Sequence, residues 1–187
     1  LLLAHDGIEV NKARTDDGDT PLYIACNEGH VGAIKLLLAH DGIEVNKART
    51  DDGDTPLYIA CNEGHVGAIK LLLAHDGIEV NKARTDDGDT PLYIACNEGH
   101  VGAIKLLLAH DGIEVNKART DDGRTPLFIA CDQGRVEAMK LLRAHDGIEV
   151  NKACTDDGQT PLYITCYDGH VEAVSYTHLT LPTTGVV

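Results

Sequence analysis

Apolar and polar residues follow one another along this chain in a pattern that returns every 35 residues. In its first occurrence, Leu22, Ala25 and Cys26 stand at helical spacing and form one narrow apolar stripe. Thr20 and the proline after it suit the start of a helix, because the hydroxyl accepts an amide hydrogen bond and proline has no amide to leave unpaired. The pattern therefore predicts a short helix through the letters PLYIACNE that ends at Gly29, where glycine supplies a left-handed conformation.

A second helix is predicted from about residue 31 to residue 39. Its apolar face consists of Val31, Ile34, Leu37 and Leu38. Two Asp-Gly dipeptides stand in the connection between copies, and the residues between them alternate, which predicts a hairpin-like loop with a short extended stretch. Because two short helices cannot bury these stripes alone, we expect the copies to stack into a one-dimensional array in which each repeat contacts only its neighbours.

The copies differ little from one another. Residues 1–35, 36–70 and 71–105 are identical, residues 106–140 keep the frame with several substitutions, and residues 141–175 keep it more loosely. Identical copies can also arise when a sequence is assembled, so the natural number of repeats stays open. One motif, written TPLYIA, TPLFIA or TPLYIT, begins at Thr20, Thr55, Thr90, Thr125 and Thr160.

This motif resembles the signature of the ankyrin repeat family, T-P-L-H-x-A on a period of about 33 residues. The letters DG before the motif and GH, LLL and VN after it agree with the same family. The chain departs from the signature in having Tyr or Phe in place of His and longer loops. The resemblance implies an all-α fold, a curved ankyrin-like solenoid of helix-turn-helix pairs linked by hairpin-like loops. It covers residues 1–173, with about four full repeats and a partial repeat at each end.

The resemblance also implies a function, that of a non-catalytic scaffold for protein–protein interaction with no cofactor. Arrays of this family are expected to meet partners at the hairpin tips and on the concave face of the first helices. In this sequence the matching positions are mostly acidic. The candidate partner-binding residues are Asp16, Asp17, Asp19, Asn27, Glu28, Asp51, Asp52, Asp54, Asn62, Glu63, Asp86, Asp87, Asp89, Asn97, Glu98, Asp121, Asp122, Arg124, Asp132, Gln133, Asp156, Asp157, Gln159, Tyr167 and Asp168.

The acidic candidates would form a ladder with the spacing of packed helices, roughly 10 Å. The chain carries a net charge of −14, so we expect a protein partner with a basic surface or segment. Nucleic acid is not expected, because phosphate binding requires a surplus of Lys and Arg. No apolar run is long enough to insert into a membrane, and the oligomeric state stays open. The alternative is a passive spacer or targeting module of a larger protein whose catalytic domain lies outside this sequence.

The cysteines follow the repeat. Those at one equivalent position of each copy are Cys26, Cys61, Cys96, Cys131 and Cys166. Copies packed roughly 8–10 Å apart exceed the distance of about 7 Å that a disulfide spans. We expect these thiols to be reduced core residues, which is typical of an intracellular, cytoplasmic protein. Cys154 replaces an arginine found in the other copies and is predicted to lie on the surface.

No catalytic or metal site is predicted. The aspartates of residues 15–19 do not match the spacing of an EF-hand loop. Cys26 and His30 have a spacing seen at zinc sites, but the predicted helix ends between them and Arg135 replaces the histidine in the fourth copy. Reactive residue types recur along the array instead of converging on one pocket, which is not the arrangement of an enzyme active site.

The last residues depart from the repeat. Residues 174–184 read VSYTHLTLPTT and resemble translated sequencing-adapter sequence, and a divergent C-terminal strand is the alternative interpretation. We expect residues 174–187 to be a non-native tail. The chain opens in the middle of a repeat, so we expect it to be an internal fragment whose start gives no information on targeting signals.

Overall fold

A computed structural model of the protein describes residues 2–5, 7–170, 172 and 174. The described part contains one 3-10 helix, Leu2–Ala4, and α-helices joined by turns, and none of its residues is in a β-strand. The α-helices are α1 (Pro21–Asn27), α2 (Val31–Leu38), α3 (Pro56–Asn62), α4 (Val66–Leu73), α5 (Pro91–Glu98), α6 (Val101–Leu108), α7 (Pro126–Asp132), α8 (Val136–Arg143) and α9 (Pro161–Tyr167). The predicted all-α array of helix pairs is confirmed.

Each first helix of a repeat begins in the same way. The Thr20 hydroxyl oxygen accepts a hydrogen bond from the Tyr23 backbone N–H over 3.1 Å, and Pro21 is the first residue of α1. The equivalent threonines cap α3, α5, α7 and α9. Each cap satisfies an amide that has no partner within its helix, as the sequence predicted.

The glycine that ends each first helix is required for two reasons, which Gly64 illustrates. Its φ of 70° is left-handed, a conformation that other residues adopt only at a cost. A Cβ atom built there would lie 2.6 Å from Nδ1 of His100 in the next repeat. His100 donates from Nε2 to the Asn62 carbonyl oxygen over 2.9 Å. The glycine thus makes room for a side chain that caps the end of α3 from the following repeat.

The helices form two rows that share one core. α1, α3, α5, α7 and α9 pack in succession in the first row, and α2, α4, α6 and α8 form the second. Leu22, Ala25 and Cys26 of α1 are buried as predicted, and so are Ile34 and Leu37 of α2. Their equivalents in the other copies join them in one continuous apolar cluster. Stacking therefore buries the stripes that a single repeat would leave in water.

Val31 corrects the predicted core. The sequence places it on the apolar face of α2, but Val31 is exposed, and the equivalent Val66 is exposed to the same extent. A Cβ atom at Gly67 would lie 2.8 Å from Val31 Cγ2. Val31 therefore lies against Gly67, which has no side chain to cover it, and this explains its exposure. Ile34 and Leu37 form the buried face of α2.

The connection between repeats consists of turns, so the predicted extended stretch is wrong. The Lys12 N–H donates to the Glu9 carbonyl over 3.0 Å. The Arg14 N–H donates to the Asp19 carbonyl over 3.0 Å and closes a hairpin-like loop. Val10 is buried within this connection, so the alternation of apolar and polar residues reflects the burial of single side chains and not a strand.

Backbone groups of the loops join neighbouring repeats. Asn46 donates from Nδ2 to the Gly77 carbonyl over 2.7 Å, and its Oδ1 accepts from the Glu79 N–H over 3.0 Å. The Thr85 N–H and hydroxyl donate to the Asp52 carbonyl over 3.2 and 3.1 Å. The same contacts recur at other boundaries. The loops therefore obey the same nearest-neighbour rule as the helices.

Two of the cysteine predictions are wrong. Four of the equivalent thiols are buried as predicted, but Cys166 is exposed, since no further first helix packs on α9 within the described residues. Cys154 is buried, although it was expected on the surface. The arginines that occupy its position elsewhere, such as Arg84, are largely enclosed, and the shorter cysteine lies deeper. All six thiols are free.

The predicted tail, residues 174–187, lies outside the described residues except for residue 174. In the part of the chain that the structure describes, no helix has the length and apolar character needed to cross a bilayer.

Candidate functional site

The predicted partner-binding surface rests on a contact that joins neighbouring repeats. The Arg49 guanidinium lies over the ring of Tyr23 in the preceding repeat, 5.2 Å from its centre. Its Nη1 donates to the Tyr23 hydroxyl over 3.4 Å, and its Nε lies 2.9 Å from Asp19 Oδ1. A cation over an aromatic face contributes about 1 kcal/mol. We call this set of ring, arginine and aspartate a junction, because it ties one repeat to the next.

The junction recurs at the next two boundaries. Its members there are Tyr58, Arg84 and Asp54, and then Tyr93, Arg119 and Asp89. The guanidinium carbons lie 5.3 and 5.5 Å from the ring centres, and the Nε to Oδ1 distances are 2.6 and 3.0 Å. These nitrogens and oxygens are close without a well-aligned hydrogen bond between them, so the contact is an ion pair. The tyrosine that departs from the motif's histidine thus makes an inter-repeat contact of its own.

At the fourth junction a cation also lies over the ring, but it comes from the same repeat as the ring and not from the following repeat. Cys154 stands in place of the arginine, Phe128 in place of the tyrosine and Arg124 in place of the aspartate. The Arg124 guanidinium lies 5.1 Å from the centre of the Phe128 ring, and its Nε lies 3.3 Å from Asp122 Oδ2. Phenylalanine lacks the hydroxyl that a guanidinium would contact, and Arg124 replaces a carboxylate that would have lost its partner. The three substitutions therefore compensate one another.

The predicted acidic residues separate into an exposed and an enclosed set. The exposed residues are Asp16, Glu28, Asp51, Glu63, Asp86, Glu98, Asp121, Asp156, Asp157 and Asp168. The half-buried ones are Asp17, Asp19, Asp52, Asp87, Asp122 and Asp132, and the buried ones are Asp54 and Asp89. From residue type and repeat position alone, all of these carboxylates were expected to face a partner. The structure shows that they differ in solvent exposure.

The half-buried aspartates of the loop hold its turn together. Asp52 Oδ1 accepts from the Asp54 N–H over 3.0 Å, and Asp52 Oδ2 lies 3.2 Å from Arg49 Nη1. Asp17 and Asp87 accept from the residue two positions on in the same way. Most of the charge of these carboxylates is thus balanced within the array.

Burial changes the protonation of the enclosed aspartates. Loss of hydration raises the pKa of Asp54 and the pKa of Asp89 to about 6, against the attraction of Arg84 and Arg119. The pKa of Asp19 is raised by the same cause, and Arg49 opposes it. These carboxylates face a guanidinium of the next repeat, so they serve the junction and are not accessible to a partner.

The other candidates lie beside the junctions. Asn62 donates from Nδ2 to Glu63 Oε1 over 2.7 Å, and Asn27 and Asn97 do the same to their neighbours. In the fourth copy, the exposed Gln133 donates to Asp132 over 2.9 Å. Gln159 is half-buried, and its backbone N–H donates to Asp157. Tyr167 is exposed and stacks on Tyr163, with ring centres 6.3 Å apart.

Arg49, Arg84, Arg119 and the tyrosines beneath them were not among the residues predicted from the sequence. A signal for them was present: arginine, tyrosine and aspartate each keep one position through the identical copies, and all three change together in residues 124, 128 and 154. The regular exchange of one set of residue types for another indicates contact between them.

One group of side chains in the described part could approach a metal ion. The ligand atoms of Cys154, Asp156 and Asp157 lie within 4.8 Å of one another. However, Asp156 accepts from the Asp157 N–H and Asp157 from the Gln159 N–H, so the carboxylates are used by the turn. Burial raises the pKa of Cys154 to about 11, which keeps it a neutral thiol and a weak ligand. We assign no metal to this group.

The enclosed aspartates predict that part of the array's stability depends on pH. Their pKa is higher in the folded chain than the ordinary 3.8, so their contribution is complete below about pH 4 and is lost as pH rises through about 6. The double variant Asp54→Asn with Asp89→Asn lacks this pH-dependent loss. As the pH rises from 5 to 7, we therefore expect its free energy of unfolding to increase by about 2–3 kcal/mol relative to that of the unchanged protein.

Urea denaturation of both proteins at each pH checks this expectation. The difference between the two proteins is the relevant quantity, because every other ionisable group is the same in both and cancels in the comparison. A difference that stays constant from pH 5 to pH 7 would contradict the assignment of a raised pKa to these two carboxylates.

The fourth junction predicts how the third can be rebuilt. Asp89→Arg alone replaces the most enclosed carboxylate partner of Arg119 with a second guanidinium. This change should lower the free energy of unfolding by about 2–3 kcal/mol. Adding Arg119→Cys and Tyr93→Phe reproduces the fourth junction, so most of that loss should be recovered. Chemical denaturation of the single, double and triple variants measures this, and additive losses would show that the junction residues are not coupled.

Comparison with known families agrees with the architecture described above. A family model described as ankyrin repeats (3 copies) matches residues 1–84 and, a second time, residues 81–154. A search of curated proteins gave no match. The family match covers most of the chain and spans the same helix pairs and loops that the junctions connect. The chain therefore belongs to the ankyrin repeat family.

Proposed function

We propose that the protein is a non-catalytic scaffold that binds a protein partner with a basic surface or an extended basic segment. Ankyrin repeats generally mediate protein–protein interaction. The proposed contact surface, here called the acidic face, consists of the exposed carboxylates at the loop tips and at the ends of the first helices. Its members are Asp16, Glu28, Asp51, Glu63, Asp86, Glu98 and Asp121.

The observation that supports this proposal is the uneven balance of charge within each repeat. At the first two junctions the arginine lies closest to the enclosed aspartate, as in the Nε to Oδ1 contact of Arg84 and Asp54 at 2.6 Å. At the third junction Arg119 also lies 2.6 Å from the exposed Asp121. The tip residue Asp51 lies farther from its arginine, 3.8 Å from Arg49 Nη2. Glu63 takes part in no ion pair within the described residues. On the acidic face, Asp51, Asp86 and the exposed glutamates therefore keep most of their negative charge. Asp16 is paired with Arg14, so its charge is largely compensated.

The repeat spacing gives this charge a physical consequence. Successive copies lie roughly 10 Å apart, which is close to the screening length at moderate salt. Like charges on neighbouring copies therefore repel one another, and a cationic segment laid across them would relieve the repulsion. Binding of this kind gains rate and specificity from complementary charge and weakens as salt increases.

Neutralising the acidic face tests the proposal. The test variant combines Asp51→Asn, Glu63→Gln, Asp86→Asn and Glu98→Gln, and leaves Asp52 and Asp54 in place because they belong to the loop turn and the junction. The matched control combines Asp41→Asn, Glu44→Gln, Asp76→Asn and Glu79→Gln, which are exposed on the loops after the second helices. Both variants change the net charge equally.

The probe is a nine-residue peptide of alternating arginine and glycine, titrated by calorimetry at about 50 and 200 mM salt. We expect the test variant to bind at least about tenfold more weakly and with less salt dependence, and the control to lose less than about threefold. Equal losses in the two variants would mean that only net charge matters. No binding by the unchanged protein would favour the passive spacer.

A further inference from the structure

We propose that Asp76 and Asp111 are modification sites at which the folded protein converts aspartate to isoaspartate without an enzyme. Each stands in the letters His-Asp-Gly, in the turn that follows the second helix of a repeat. The backbone nitrogen of the glycine attacks the aspartate side chain, and the histidine accepts its proton. This inference does not depend on the proposed function, because neither aspartate belongs to the acidic face.

The attacking nitrogen already contacts a proton acceptor. The Gly77 N–H donates to Nδ1 of His75 over 3.2 Å, and the Gly112 N–H donates to Nδ1 of His110 over the same distance. An amide nitrogen becomes a nucleophile only as it gives up its proton. An imidazole nitrogen that accepts a hydrogen bond from that amide is in position to take the proton. The histidine therefore lies against the reacting atom.

The carboxyl group that is attacked is free to move. Asp76 and Asp111 are exposed. Within the described residues, neither side chain makes a hydrogen bond or an ion pair. The side chain can therefore rotate toward the nitrogen of the next residue. The ring that forms contains only atoms of the aspartate and the glycine, so no other group has to approach.

The reaction at Asp76 conserves atoms and charge. The Gly77 nitrogen bonds to Cγ of the protonated carboxyl group, its proton passes to His75 Nδ1, and the hydroxyl group takes that proton and leaves as water. Water then adds to the backbone carbonyl carbon of Asp76 in the succinimide, breaks the bond from this carbon to the Gly77 nitrogen, and returns a proton to that nitrogen. The chain now continues through Cγ, and the former backbone carbonyl is a carboxylate.

The turn does not require glycine at these two positions. A Cβ atom at Gly77 would lie 3.6 Å from its nearest neighbour, which is an ordinary contact, and the φ of Gly77 is outside the left-handed region. At Gly53, by contrast, a Cβ atom would lie 2.5 Å from Thr85 Oγ1. Gly77 thus leaves its own nitrogen unhindered toward the carboxyl group, although the fold would accept a side chain there.

Several other Asp-Gly pairs lack this arrangement. Asp52 Oδ1 accepts from the Asp54 N–H over 3.0 Å, so its carboxylate is held by the loop turn. His145 Nδ1 donates to the Asp146 carbonyl over 2.7 Å, and a nitrogen that carries a proton cannot accept one. His40 Nδ1 has no hydrogen-bond partner among the described residues, so it does not contact the glycine nitrogen. The structure therefore distinguishes sites that the sequence letters do not.

The modification would affect the boundary between repeats. The Ile78 N–H donates to the His75 carbonyl over 3.0 Å and closes the turn. The Gly77 carbonyl accepts from Nδ2 of Asn46 in the preceding repeat over 2.7 Å. Isoaspartate adds one carbon to the backbone inside this turn and displaces the Gly77 carbonyl from Asn46. We therefore expect the modified protein to unfold at a lower urea concentration.

Peptide mass spectrometry of the full chain, incubated in its folded state at neutral pH, tests the inference. Tryptic peptides from several copies are identical, so Glu79→Asp with Glu114→Asp marks the two sites by mass at exposed positions and keeps the charge. Fragmentation, and methyl transfer by an isoaspartyl-specific methyltransferase, identify isoaspartate. We expect it to form at Asp76 and Asp111 at least about tenfold faster than at Asp52 and Asp146, because only the first two have a positioned proton acceptor.

Two pairs of substitutions in the marked protein separate the roles of the residues. His75→Gln with His110→Gln removes the proton acceptor and should slow the reaction at least about tenfold in the folded protein. The same pair should have little effect in urea, where the fold no longer places the imidazole.

Gly77→Ala with Gly112→Ala fits the turn and should abolish isoaspartate at both sites, with the urea midpoint of the fresh protein unchanged. Isoaspartate that forms at these sites in urea but not in the folded chain would overturn the inference. So would equal rates in the folded marked protein and its glutamine variant.

Discussion

The guanidinium that crosses each of the first three boundaries between repeats is the contact on which the rest of the surface depends. It covers the ring of one repeat and neutralises the aspartate that would otherwise be buried with an uncompensated charge, as Arg84 does for Tyr58 and Asp54. Each repeat is too small to bury its apolar stripe by itself. Stability is therefore a property of boundaries, and the same boundary contact decides which polar groups remain exposed.

This arrangement divides the acidic residues by role. Aspartates enclosed by the junction and the loop turn hold the copies in register, while Asp51 and Glu63 and their equivalents face solvent. One repeat can thus carry many carboxylates without losing its fold, because arginines compensate the inner ones. The substitutions at Arg124, Phe128 and Cys154 show that the requirement is for a cation on the ring and not for one particular residue.

Features with a local cause could be predicted from the sequence. Threonine and proline predict the start of α1, and glycine predicts its end. The period of 35 residues predicts that the copies stack. The enclosure of Asp54 could not be predicted in the same way, because it depends on an arginine in the next repeat. Cys154 was misplaced for a related reason, since the residue it replaces, although charged, is itself enclosed. The features that differ from the sequence-based prediction are therefore those that depend on contacts between repeats, and not on the local preferences of residues within one repeat.

Amide hydrogen exchange tests the central claim most directly. The side chains of Thr85 and Thr120 are exposed, yet their backbone N–H groups donate to carbonyl oxygens of the preceding repeat over 3.2 and 3.0 Å. If boundaries hold the array together, these two amides should exchange at least about tenfold more slowly than the amide of Thr15, which has no preceding loop in the described part. Equally fast exchange of all three amides would contradict the account, because the repeats would then not be joined as described.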